Sequence, residues 1–153
     1  MKKINPEVKQ LISELKLAEI MYRKTSLRVV DQPVKDQLAS LADRKVNFMM
    51  GLMKQYDVDI ETLMCEVSDM IRPEWEKLEI ELDHLLLQGW EKDILDNCIL
   101  REKKLIEIYK ELSQDTGYDD FMTAMFASQL SETYDFLNEL EDTKEVFVSI
   151  FSL

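Results

Sequence analysis

The 153-residue chain carries 19 Lys and Arg against 31 Asp and Glu, and its net charge of −12 argues against nucleic acid or anionic lipid as partners, since both would be repelled with no basic stripe to offset it. Only 3 Gly and 3 Pro accompany 46% hydrophobic and 33% charged residues, which leaves little turn chemistry for hairpins and predicts an all-α chain, one domain with a real core. The two cysteines, Cys65 and Cys98, lie in apolar helical patterns without a CxxC, which predicts buried, reduced thiols; no export signal or membrane-spanning run is visible, and the expected location is cytoplasmic.

A first helix is expected over about 6–30, with Asn5 as its cap and Pro6 in its first turn. Its apolar stripe is Val8, Leu11, Ile12, Leu15, Tyr22, Val29 and Val30, with Glu19 inside it. A break at Asp31-Gln32-Pro33 leads to a second helix over about 34–56, whose stripe is Val34, Leu38, Leu41, Ala42, Met49, Leu52 and Tyr56. Lys45 lies at the centre of that stripe, and Asp43 on the opposite face. Residues 57–71 read as a connecting segment with helical spacing, after which Pro73 opens a shorter helix over about 73–88 that Gly89 ends.

The stretch over about 92–114 follows. At roughly 100° per residue, Ile94, Leu95, Cys98, Leu105, Tyr109 and Leu112 share one face, and Glu102 falls near its centre. Burying an unpaired carboxylate costs several kcal/mol, so Glu102 is expected to be protonated, paired with a cation or bound to a metal. Thr116-Gly117 then turns the chain into a last helix over about 118–142, with Met122, Phe126, Ala127, Leu130, Thr133, Tyr134, Leu137 and Leu140 as its stripe. An apolar tail, 146–153, closes the chain.

The two halves read as distant copies of one helical hairpin, LKLAEIMYRK against REKKLIEIYK, and two such hairpins joined by a long crossover make a ferritin-like four-helix bundle with a short crossover helix. The run Ile94-Leu95, Cys98, Glu102 and Tyr109, with Trp75 and Gly89 upstream, resembles an uncharacterised bacterial family of ferritin-like four-helix domains. The hairpin halves are also similar to rubrerythrins, over roughly Val8 to Glu141.

That resemblance raises the question of a carboxylate-bridged di-iron site, which needs a Glu from each of two helices and a Glu-x-x-His from each of the other two. Glu102 supplies one of the two single glutamates and Glu19 the other, unless Tyr22 is aligned with Tyr109, which puts Leu15 at the ligand position. The other two helices offer Lys45-x-x-Phe48 and Leu130-x-x-Thr133. The single histidine forms one literal match, Glu81-Leu82-Asp83-His84, but His84 points roughly 150° away from the stripe of Trp75, Leu78, Leu82 and Leu85. No metal is therefore expected, with iron or manganese on Glu19, Glu102, Glu81 and His84 as the alternative.

For Glu19, Lys45 and Glu102 two readings stay open: stripe-edge side chains whose heads reach water, or a buried polar cluster with Tyr22 and Tyr109 in which Lys45 supplies the charge a metal would supply. Met49, Met50 and Met53 read as core filling, because no Cys or His accompanies them. There is no phosphate-cradling glycine loop, no G-x-S-x-G elbow and no Cys–His pair, so no catalytic residue is assigned and the balance lies against an enzyme. Two functions remain: a non-enzymatic ferritin-like bundle acting through self-association or a protein partner, or a residual metal-binding or redox protein using the inward glutamates. A homodimer is expected because Tyr118, Phe121, Met125 and Phe136 on the last helix, and Leu17, Ile20 and Met21 on the first, lie off the main stripes. The tail folding back over this surface is the competing cover.

Overall fold

The computed structural model describes residues 3–89 and 91–151, and every regular element among them is an α-helix: α1 (Pro6–Ser26), α2 (Gln32–Met53), α3 (Ile60–Gln88), α4 (Glu91–Gln114) and α5 (Asp120–Phe151). The chain divides into two compact units, 1–84 and 85–153.

In the first unit, α1 and α2 pack as an antiparallel pair. Asn5 caps α1 by accepting from the Val8 N–H at 2.9 Å, and Asp31 caps α2 by accepting from Val34 at 3.1 Å. Each cap satisfies an amide that has no partner inside the helix. The first helix stops at Ser26, four residues short of the expected end, because the Thr25 carbonyl takes both the Arg28 and Val29 N–H groups and tightens the chain into a turn. Val29 stays buried, whereas Val30 is 90% exposed and does not belong to the stripe. The other stripe residues of α1 and all those of α2 are buried.

The largest departure is α3. The segment 57–71 is not a connection; a single 29-residue helix starts at Ile60, and Pro73 lies inside it. Asp59 starts this helix by accepting from the Thr62 hydroxyl at 2.6 Å and, through its carbonyl, from the Leu63 N–H at 2.9 Å. Proline was expected to open a helix because it lacks an N–H, but the loss is confined to one bond from the Asp69 carbonyl, and the stripe Leu63, Val67, Ile71 and Leu82 runs on past it. Cys65 lies off that stripe and is exposed, contrary to the expectation of a buried thiol.

Contacts from α1 and the turn after it to α3 run in step: Lys9 to Glu66, Ser13 to Met70, Lys24 to Glu79 and, from the turn, Arg28 to Asp83, at separations of 55–57 residues. The two helices are therefore parallel. Leu17 and Ile20 fall at helical spacing between Ser13 and Lys24, on the face of α1 that α3 follows. Leu17 and Met21 are buried and Ile20 half-buried, so the off-stripe set of the first helix has its cover within the chain.

The second unit is the antiparallel pair α4 and α5. Gly89, with φ of 70°, occupies the left-handed region that ends α3. Every residue of the expected α4 stripe is buried, Glu102 included. Asp119 caps α5 by accepting from the Met122 N–H at 2.8 Å. This helix does not stop near 142: with no Gly or Pro after Gly117 to break it, it continues to Phe151, so the described part of the expected tail is helical. Ser152 and Leu153 lie outside the described residues. The inward stripe of α5 is Met122, Phe126, Gln129, Thr133, Leu137 and Leu140; Ala127 and Tyr134 are exposed, and Leu130 is only half-buried.

Candidate functional site

Each unit carries its own buried polar group. Glu19, Tyr22 and Lys45 belong to the first unit, Glu102 and Tyr109 to the second.

Lys45 is 0% exposed, one turn from Phe48, with its ammonium 5.6 Å from the ring centroid. An ammonium over an aromatic face is held by the ring quadrupole, and the contact is stronger where water is excluded. Glu19 lies near the edge of its stripe: its carboxylate meets Lys16 at 3.1 Å and Arg23 at 3.7 Å on its own helix. Arg23 also reaches the exposed Asp43 at the middle of α2, at 3.2 Å, which ties the end of α1 to its partner helix. Tyr22 is fully buried.

In the second unit, Glu102 is 0% exposed and Cys98, Arg101, Tyr109, Gln129 and Thr133 are buried with it. The Tyr109 hydroxyl donates to the Gln129 side-chain oxygen at 2.7 Å, and the Thr133 hydroxyl donates to the Gln129 backbone carbonyl at 2.7 Å. Both bonds are buried, where an unmet polar group is costly. Burial, with the charges of Glu102 and Glu132 after it, pushes the Tyr109 phenol well above its ordinary value of 10.0. Burial and then Glu102 raise the Cys98 thiol, against an opposing pull from Arg101. Tyr109 is thus a fixed hydrogen-bond donor, and Cys98 stays a thiol, not the thiolate that nucleophilic or redox chemistry requires.

The literal Glu81-x-x-His84 match is on α3 with both residues exposed. Among the described residues no group of three or more His, Cys, Asp and Glu comes together as a potential metal site. The inward positions of α2 and α5 carry Lys45 with Phe48 and Gln129 with Thr133, and this donor set does not fit a carboxylate-bridged di-iron centre. Sequence reasoning missed Gln129 and Arg101. Gln129 was legible in the spacing 122, 126, 129, 133, 137, 140, which is continuous only if a polar residue is allowed to face inward.

Two antiparallel helical pairs, each closing over buried polar residues, define the class: an all-helical protein whose described helices include none long and apolar enough to cross a membrane. Compared with protein-family models, with curated proteins and with solved structures, the chain matches none.

Proposed function

We propose that this chain is a ferritin-like helical bundle that has exchanged a metal centre for buried polar contacts and acts without catalysis, through self-association as a homodimer or through a protein partner. The observation that carries this reading is the Tyr109–Gln129 hydrogen bond. A side-chain amide, locked by a phenol at 2.7 Å, occupies the inward face of α5 where a metal-binding fold needs a carboxylate and an imidazole. The fully buried Lys45 on α2 supports it, because a cation at an inward position repels a metal ion. Self-association is supported by the outer side of α5, where Phe121 is 60% and Val146 55% exposed, with Met125 and Phe136 half-buried beside them.

Two measurements test the proposal. Elemental analysis of protein grown with added iron and manganese is expected to find neither at stoichiometric level; about one metal per chain, lost in Glu102→Gln, would replace this reading with a residual metal-binding protein. Sedimentation of the intact chain is expected to give a dimer at micromolar concentration, and Phe121→Ser with Val146→Ser to give a monomer. Truncating the end of α5 would be a poorer test, because Lys144 pairs with Asp96 of α4 at 2.5 Å and its loss disturbs the hairpin itself.

A further inference from the structure

Helix α3 is held to α1 in two different ways on the two sides of Pro73. Before the proline, Leu63, Val67 and Ile71 are buried at four-residue spacing, beside the ion pair Lys9–Glu66 at 2.6 Å. After it, within the first unit, Leu82 is the one buried apolar side chain among the described residues, and Trp75 and Leu78 are half-buried. Charge takes over there. Lys24 pairs with Glu79 at 2.7 Å and lies 4.9 Å from the Trp75 ring centroid, and Arg28 pairs with Asp83. The segment 74–83 carries five acids, Glu74, Glu76, Glu79, Glu81 and Asp83, against one base, Lys77, and it faces the basic end of α1.

Between the two halves the helix lacks one backbone bond, because Pro73 has no N–H to give the Asp69 carbonyl. A helix interrupted in this way separates most easily at the interruption. Exposed ion pairs are weak singly and are screened by salt, whereas apolar burial is not.

We infer that residues 74–83 form a charge-latched strap over the C-terminal end of α1, poised to lift at Pro73 while the half of α3 before the proline stays seated. Lifting bares Ile20 and frees Lys24 and Arg28 without disturbing the α1–α2 pair. Ionic strength, or a competing acidic segment, sets how often it opens.

Hydrogen exchange of the intact chain tests this, because exchange reads local opening segment by segment. Loss of two ion pairs and a cation–ring contact predicts exchange over 74–83 about tenfold faster at ~500 mM than at ~50 mM sodium chloride, with 61–72 and α2 changing less than about twofold. Lys24→Glu is expected to produce the fast exchange already at low salt, and Lys24→Glu with Glu79→Lys to restore the slow exchange by re-forming the pair in reverse. Exchange over 74–83 that ignores salt overturns the inference. So does acceleration of 61–72 in step with 74–83, which would mean that α3 opens as one piece, or failure of the reversed pair to restore protection.

Discussion

Replacing Tyr109 by Phe isolates the contact on which the second unit's polar core depends. The side chain is fully buried and its hydroxyl meets the Gln129 oxygen at 2.7 Å, so the substitution removes a donor and leaves the amide oxygen facing an aromatic edge. A net hydrogen bond of about 0.5–1.5 kcal/mol is lost, and the stranded acceptor raises the total to about 1–3 kcal/mol. For a chain of this size that is about 2–4 °C in Tm per kcal/mol. Gln129→Leu strands the phenol in the same way, but the double substitution removes both ends at once and replaces them with apolar groups of similar shape. The double variant is therefore expected to lose less than the sum of the singles by at least about 1 kcal/mol. Guanidinium unfolding followed by circular dichroism at 222 nm gives all four free energies, with unchanged m-values as the sign that only stability has moved. Tyr134→Phe, on the exposed side of α5, is the control that should change little. Additive losses at Tyr109 and Gln129, or a Tyr109→Phe protein as stable as its parent, would refute the reasoning.

Alkaline pH acts on the same core. Cys98 and Tyr109 are held protonated above their ordinary values of 9.0 and 10.0, so the unfolded chain releases these protons first, and stability that is full below pH 9 falls as pH rises. The slope reaches about 1.4 kcal/mol per pH unit for each group and should flatten in Cys98→Ala with Tyr109→Phe, measured by urea unfolding between neutral pH and about 11. Gly89→Ala is expected to cost about 1 kcal/mol from backbone strain alone, since φ is 70° and nothing lies within 4 Å of the added methyl; thermal unfolding reads it. Pro73→Ala restores the missing donor inside α3 and is expected to raise stability by up to ~3 kcal/mol, with slower exchange over 74–83; faster exchange there would contradict the hinge.

The helical class was legible because composition, caps and periodicity agree: Asn5, Asp31 and Gly89 mark ends that the structure keeps, and the α2 and α4 stripes are buried throughout. The failures have physical causes. Pro73 reads as a helix opener, although one lost bond does not outweigh an apolar stripe that runs from Leu63 to Leu82. The start at Ile60 depended on Asp59, a small signal with no flanking glycine. On α5 a stripe drawn from apolar residues admitted Ala127 and Tyr134 and excluded Gln129, because hydropathy cannot distinguish a solvated amide from one paired with a buried tyrosine. The inward positions of Lys45 and Glu102 are legible on their wheels, but the wheels leave open whether the charged heads reach water, and both side chains are fully buried. The contacts that hold α3 to α1 are not legible on any wheel, because they join residues 55–57 apart and leave no local pattern.

The unlike surroundings of the two cysteines make this chain a one-thiol protein in practice. Cys98 is buried and held as the thiol, closed to maleimides and peroxide alike, while Cys65 is exposed on α3. A fluorophore or spin label added to the natural sequence attaches at a single known place, two turns before Pro73, on the seated half of the helix that carries the strap. The motion of that helix is open to spectroscopy without engineering a cysteine, and an accidental disulfide in an oxidising buffer would join two copies through α3 and leave the α4–α5 hairpin untouched.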